Sequence, residues 1–382
     1  MLQPRPHDPP RPTARRADLA LLRGADTATV AGIALNADGT LAVEPDARLR
    51  RDLCRLANVY ELDPVWREHD GQGVSVAVLD TGLMFDHPLL RDAVARRPVP
   101  SDALAKRPVC RVFARAALAA LGKSSEETEG VPADCEDRDG HGTHCASVVA
   151  GRPVPGLERC RGIAPRAQLV VGKVLDDRGE GFLDDVADGI VWAASRADII
   201  CLAVVASETS DRLYRAIHAA LAAGRTIICA AGNSGRIPGE LAYPARYGGV
   251  TSVAAHDEFG DPVRFSSRGG EIDFAALGVD VWSAGADQGR PALVRASGTS
   301  IAASVVAGMA ALILAKHRYF DARRAQALLV GNGLEAERFR NATPVLNNED
   351  MRSHLLRIAY SRSGHRDDLG YGPLWPNRLL QA

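Results

Sequence analysis

From Val74 onward, short apolar runs rich in β-branched residues alternate with longer stretches that read as helices. The candidate strands are Val74–Leu79, Gln168–Val174, Ile199–Val205, Thr226–Ala230 and Val250–Ala254; the candidate helices are Gly142–Ala150, Phe182–Ser195, Asp211–Ala223 and Ser300–Lys316. Runs that are apolar at consecutive positions suit strands buried on both faces, the environment of a parallel sheet. Strands that alternate with helices build such a sheet through crossover connections. The expected fold class is α/β, a doubly wound, mostly parallel central sheet flanked by helices. In that architecture ligands meet the protein beyond the carboxyl ends of the strands.

Three segments then supply an acid, a base and a nucleophile, in that chain order. Val74–Leu79 runs into Asp80-Thr81-Gly82, which puts a carboxylate where a strand opens into the cleft. His141 lies between Gly140 and Gly142, so the backbone can turn tightly and leave the imidazole accessible. Ser300 follows Gly298-Thr299 and opens the longest apolar small-residue stretch, Ile301–Ala315. That places its hydroxyl at a helix N-terminus, where the dipole and the amide groups favour developing negative charge. Singly, each segment has an ordinary explanation: a strand-end turn, a histidine pair for a metal, a helix cap. A metal is disfavoured because His141 and His144 lack a cysteine or carboxylate in a recognised zinc spacing. His144 is expected to be a packed or hydrogen-bonded core histidine.

With these motifs the chain resembles a subtilisin-family serine protease, over roughly residues 61 to 376, about four-fifths of its length. Order and flanking residues agree with the Asp, His, Ser template. A fourth motif, Ala230-Ala231-Gly232-Asn233-Ser234, resembles the family's oxyanion-hole segment, and Asp368-Leu369-Gly370-Tyr371-Gly372 its closing segment. The resemblance implies Ser300 as nucleophile, His141 as its base and Asp80 as the group that orients and stabilises the imidazolium. Asn233 and the Ser300 amide would bind the oxyanion, with Ala231 and Gly232 beside them on the substrate side. The implied reaction is endopeptidase hydrolysis through an acyl-enzyme, with restricted specificity and a processing role. The alternatives are a catalytically silent binding or regulatory protein on the same scaffold, or an acyl hydrolase or peptide ligase using the same nucleophile.

Departures from the family pattern bear on the substrate. Related enzymes carry a Ser-Leu-Gly-Gly-like edge, whereas the matching segment here is Ala203-Val204-Val205-Ala206, which adds side chains where a substrate side chain would lie. A shallow or displaced P1 pocket is expected. On the opposite wall Gly179, Glu180 and Gly181 would pair with P2 to P4, and Glu180, with Asp176 and Asp177 nearby, could favour basic side chains. The loop Gly151–Arg159, where many secreted relatives bind calcium, has one carboxylate and two arginines, a poor ligand set for a hard cation. No cofactor is expected, and calcium is not predicted beyond weak sites. The separation of sixty-one positions from Asp80 to His141 points to an insertion near residues 92 to 137. It holds a helix candidate, Val112–Leu121, and an acidic stretch, Glu126–Asp139; gating and a solvated loop are both open.

At a formal net charge of −1 and 46% hydrophobic residues, the chain can bury a large core and has no bias toward nucleic acid or membrane. The expected partner is a protein or peptide substrate; the sequence does not set the oligomeric state. Ile301–Ala315 falls short of the about 18–20 residues that span a bilayer and is expected to be a buried helix. Residues 1–60 form an N-terminal extension, either pro-region-like or a surface arm, with 61–382 the catalytic domain. Within it, 1–16 are expected to be disordered, Thr27–Leu35 and Thr40–Val43 to form a hairpin, and Ala47–Ala57 a helix. No secretory signal is visible, so cytoplasmic residence is expected, although a sequence lacking its leader would look the same. Cys145, Cys201 and Cys229 lie in apolar runs and are expected to be buried and reduced. Cys110, Cys135 and Cys160 lie near loops and could pair in an oxidising setting.

Overall fold

Ser75–Asp80 is the strand about which the molecule is organised, because Val76, Ala77, Val78 and Leu79 are each at most 2% exposed. The computed structural model describes residues 20–21, 30–99, 102–235, 241–287, 289–329, 346, 348–359 and 365–380. In it Ser75–Asp80 lies third from one edge of a seven-stranded parallel sheet, in the order Phe274–Leu277, Thr251–His256, Thr226–Ala230, Ile199–Leu202, Ser75–Asp80, Gln168–Lys173, Cys110–Val112. Later strands build outward from Ile199–Leu202 on one side, and Gln168–Lys173 sits on the other. The carboxyl end of Ser75–Asp80 is thus next to the point where strand order reverses, the crevice in which open α/β sheets place ligands.

Successive residues of the central strand feed opposite layers. Val76 and Val78 join the core that holds helices His141–Ala150 and Thr299–Leu329, while Ala77 and Leu79 join the core of Leu183–Ala194 and Asp211–Ala222. The doubly wound α/β expectation matches this arrangement. The helix opening at Thr299 outruns the expected Ser300–Lys316 and continues to Leu329. Its Thr299–Arg318 segment is long and apolar enough to cross a membrane, yet 94% of it is buried inside the protein, as befits a helix packed at the centre of a core.

Val30–Ala34 pairs antiparallel with Arg290–Ala296, the second arm of a hairpin that begins at Val281–Asp287. The expected turn around Asp38-Gly39 closes through Leu35 and Leu41 and the bond from Ala42 N to Ala34 O at 2.9 Å. The expected Ala47–Ala57 helix is two helices, Ala47–Leu53 and Arg55–Val59, broken at Cys54. Tyr60 is fully buried, with its hydroxyl accepting from Leu277 N at 2.6 Å. Residues 30–60 are therefore built into the domain, while 1–16 and Thr27–Thr29 lie outside the described residues.

Cysteine pairing differs from the sequence reading. Cys160 is bonded to Cys54, 106 positions away, and Cys110 and Cys135 are buried outside that bond, as are Cys145, Cys201 and Cys229. Cys54 carried no local signal, because its partner is fixed only by where the helix break meets the loop after His141–Ala150. The insertion is neither a plain loop nor a separate module. Arg96–Val99 and Asp102–Pro108 form an antiparallel hairpin, Cys110–Val112 becomes the edge strand of the main sheet, and Arg115–Leu121 supplies one short helix.

Candidate active site

Asp80 ends the central strand with 1% of its surface exposed. Its Oδ1 accepts from Thr81 N at 2.8 Å and meets His141 Nδ1 at 2.8 Å. His141 is the first residue of its helix and is itself 7% exposed. Two contacts lock this helix start against the strand end. Gly142 N donates to Thr81 Oγ1 at 2.9 Å, and a Cβ on Gly142 would lie 2.5 Å from Gly82 O, so only glycine permits the approach. With Nδ1 on Asp80, Nε2 is the ring nitrogen suited to act as a base.

Asp137, which sequence reasoning missed, arranges the turn into this helix. Its Oδ1 accepts from Asp139 N at 3.1 Å and Gly140 N at 2.9 Å; its Oδ2 accepts from Thr143 N at 2.8 Å and Thr143 Oγ1 at 2.6 Å. One carboxylate thus holds two amides of the turn before the helix and the Thr143 amide, one of those that a helix start leaves without intrahelical partners. Lys173, 2% exposed, binds the same region from the neighbouring strand through Thr81 O, Glu136 O and Asp177 Oδ1. Burial, with Asp86 adding to it, pushes the Glu136 carboxyl up to about 7. Cys145, one turn past His141, puts its Sγ 4.0 and 3.9 Å from the two imidazole nitrogens, and burial raises its thiol above the ordinary range. Asp80, His141 and Cys145 together offer ligand atoms within 4.8 Å of one another. His144 Nε2 donates to Val281 O, 3.2 Å away, in the core, as expected for a structural histidine.

Ser300 is the second residue of the long core helix and 4% exposed. Its carbonyl accepts from Ser304 Oγ at 2.9 Å, and the helix it opens packs on the helix of His141. Thr299, next to it, explains why Asn233 stands where it does. Asn233 Oδ1 accepts from Thr299 N and from Thr299 Oγ1, each at 2.9 Å, and Thr299 Oγ1 accepts from Gly232 N at 3.1 Å. The side-chain oxygen being pinned, the Asn233 amide nitrogen is the end presented for hydrogen-bond donation. Ala231 is enclosed, its N and O bonded to Val253 O and Ala242 N, and Gly232 takes the left-handed φ of 104°.

The two expected substrate walls differ in character. Gly179, Glu180 and Gly181 form a tight turn held by Asp176, whose carbonyl accepts from Gly179 N and whose Oδ1 accepts from Arg178 N and Glu180 N. Asp177, although exposed, is engaged by Lys173, and Glu180 is exposed without its carboxylate serving the turn. Gly181–Phe182 is paired, antiparallel, with Ala20–Leu21 of the N-terminal segment. On the other wall the strand ends at Leu202, earlier than the expected Val205. Ala203, Val204, Val205 and Ala206 are all buried, and Ala206 exchanges two backbone bonds with Tyr243 at 2.8 and 2.9 Å. In the Gly151–Arg159 loop, Arg152 sets its own guanidinium among the carbonyls of Ala150, Pro165, Ala167 and Asp92.

Comparison with known proteins agrees with this layout. The sequence model of the subtilase family matches residues 71–372. An intracellular serine protease of Paenibacillus polymyxa is 33% identical over 266 residues, 69% of this chain and 73% of that protein. A thermostable alkaline protease of Halalkalibacterium halodurans is 37% identical over 250 residues, 65% of this chain and 58% of that protein. Subtilisin DY of Bacillus licheniformis is 37% identical over 184 residues, 47% of this chain and 65% of that protein. The chain spans less than two thirds of the length of the latter two. On the family match across most of its length, the chain belongs to the subtilase family of serine proteases.

Proposed function

We propose that the chain hydrolyses internal peptide bonds through an acyl-enzyme on Ser300. The observation that carries this reading is the 2.8 Å contact of Asp80 Oδ1 with His141 Nδ1, set beside an Asn233 amide whose oxygen is doubly anchored by Thr299. His141 Nε2 takes the Ser300 proton as Oγ attacks the carbonyl carbon, and Asp80 holds the imidazole in the required tautomer and stabilises its charge. The Asn233 amide and the Ser300 N–H bind the oxyanion. His141 then protonates the leaving amine, and water repeats the cycle to free the acid. No resident cofactor takes part in these steps. The guanidinium of Arg152, bonded to the carbonyls of Asp92 and Ala167 beside this loop, supports the reading that the loop takes no calcium.

Restricted specificity is part of the proposal. Side chains at Val205 and Ala206, and the bonding of Ala206 to Tyr243, favour small P1 residues over large aromatic ones. The N-terminal segment is proposed to hold the enzyme latent, because Ala20–Leu21 pairs with the Gly181–Phe182 edge that a substrate main chain would use. The setting has two pointers: the Paenibacillus relative named as intracellular, and the Cys54–Cys160 bond, which favours an oxidising compartment. A peptide library tests the whole reading. Cleavage after small residues, lost in Ser300→Ala, supports it; efficient cleavage after large aromatic residues removes the specificity claim, and activity that survives Ser300→Ala removes the mechanism.

A further inference from the structure

Two thiols that the proposed reaction does not use face each other inside the insertion. Cys110 opens the edge strand Cys110–Val112, and Cys135 ends the short turn Pro132–Cys135. Both residues are 0% exposed, the turn Pro132–Cys135 packs against the strand Cys110–Val112, and the two thiols bear electrostatically on each other. The backbone around them is tied on both sides. Gly130 N donates to Cys110 O at 2.8 Å, Val112 N to Thr128 Oγ1 at 3.0 Å, and Lys123 Nζ to both oxygens of Asp134 at 2.9 and 2.7 Å. On the far side Leu83 N donates to Cys135 O at 3.0 Å, which seats Cys135 on the loop that follows Asp80.

We propose that Cys110 and Cys135 form a second disulfide when the chain meets a small-molecule disulfide such as oxidised glutathione. One cysteine thiolate attacks a sulfur of the oxidant, releasing one reduced thiol and leaving a mixed disulfide. The other cysteine's thiolate attacks the protein sulfur of that bond and releases the second reduced thiol. The protein thiols give up two protons and two electrons, and the oxidant gains both. A setting that keeps Cys54–Cys160 formed is oxidising toward this pair as well. Cys145 Sγ contacts the His141 imidazole and Cys201 Sγ lies 4.0 Å from Ser304 Oγ, and neither is among the groups that bear on Cys135. The neighbouring Cys110 thiol, with burial adding to it, pushes the Cys135 thiol up, so exchange in the closed state is slow and the bond forms as the insertion opens or as the chain folds. Once made, it joins the sheet edge to the segment whose Asp137 sets the start of the His141 helix.

The test is a redox titration of the full chain in glutathione buffers, incubated to constant mass with enough urea to open the insertion without unfolding the domain. Each sample is then unfolded, alkylated without reductant and weighed, and the peptides are mapped. The expected oxidised form carries labels on Cys145, Cys201 and Cys229 only, with a Cys110–Cys135 peptide pair. In Cys110→Ser the same treatment labels Cys135 in addition, and the rise in Tm on oxidation seen for the wild type is lost. Labels on all five free cysteines at every potential that leaves Cys54–Cys160 intact, or Cys110 linked to any other partner, would overturn the proposal.

Discussion

Replacing Thr299 by Val separates orientation of the proposed oxyanion donor from folding. Thr299 Oγ1 accepts from Gly232 N at 3.1 Å and donates to Asn233 Oδ1 at 2.9 Å; valine keeps the shape and removes both bonds. The buried Gly232 amide then lacks its acceptor, which costs about 1–3 kcal/mol of stability. Asn233 keeps the bond from Thr299 N at 2.9 Å and loses one anchor of two. Full loss of such an amide donor costs ~3–4 kcal/mol of barrier. Losing one anchor should cost about 1–1.5 kcal/mol, roughly a tenfold fall in kcat with KM unchanged. Thr299→Ser, which keeps the hydroxyl, should stay near the wild type. In an Asn233→Ala background Thr299→Val should change kcat little, because the group it positions is gone. Steady-state kinetics on one peptide substrate, with Tm recorded for each variant, reads all four. An equal fold-loss from Thr299→Val in both backgrounds would refute the reasoning.

Asp137→Ala removes an acceptor that serves four donors at the start of the His141 helix and should cost about 2–4 kcal/mol of stability, with Asp137→Asn recovering part of it in thermal unfolding. The folded chain holds Glu136 protonated up to about pH 7, so its contribution to stability is complete below the ordinary carboxylate pKa and is lost as pH rises toward 7. Glu136→Gln should therefore gain Tm over the wild type across that window and run parallel above it; a pH-independent difference would contradict the burial argument. Removing residues 1–29 should raise kcat/KM without loss of Tm, because Ala20–Leu21 leave the Gly181–Phe182 edge, whereas a cut at residue 60 should unfold the domain by deleting Leu53, Leu56 and Tyr60 from its core. Glu180→Gln should weaken any preference for basic residues at P2 to P4, read from competing peptides, since Glu180 is exposed while the exposed Asp177 is engaged by Lys173.

What could be read from the sequence was local. Strands buried on both faces announce themselves as apolar runs, and Asp80, His141, Ser300 and Asn233 sit in short segments whose glycines and helix starts reflect geometry within a few residues. Most of what escaped depended on distant neighbours, although Asp137 did not, its donors lying two, three and six residues on. Asp137 looks like one more acid in an acidic stretch until its oxygens meet the helix amides, and Thr299 looks like a helix cap until Asn233 and Gly232 reach it from another strand's loop. Cys54 pairs with Cys160 only because a helix break and a loop converge, and Cys110–Val112 joins the sheet because Gln168–Lys173 offers it an edge. The hairpin Val281–Asp287 with Arg290–Ala296 was missed for the opposite reason, since its glycine and proline content mutes the strand pattern that its cross-strand packing sustains.

The most direct test of the central claim is intact-mass labelling with a fluorophosphonate, in which Ser300 Oγ would displace fluoride from phosphorus only with a working base and oxyanion site beside it. The measurement is made on the wild type, on Ser300→Ala, and on both after removal of residues 1–29. The account predicts a single adduct on the wild type, faster once residues 1–29 are gone and absent from both Ser300→Ala forms. A chain that stays unlabelled after truncation, or an adduct that persists in Ser300→Ala, would contradict it.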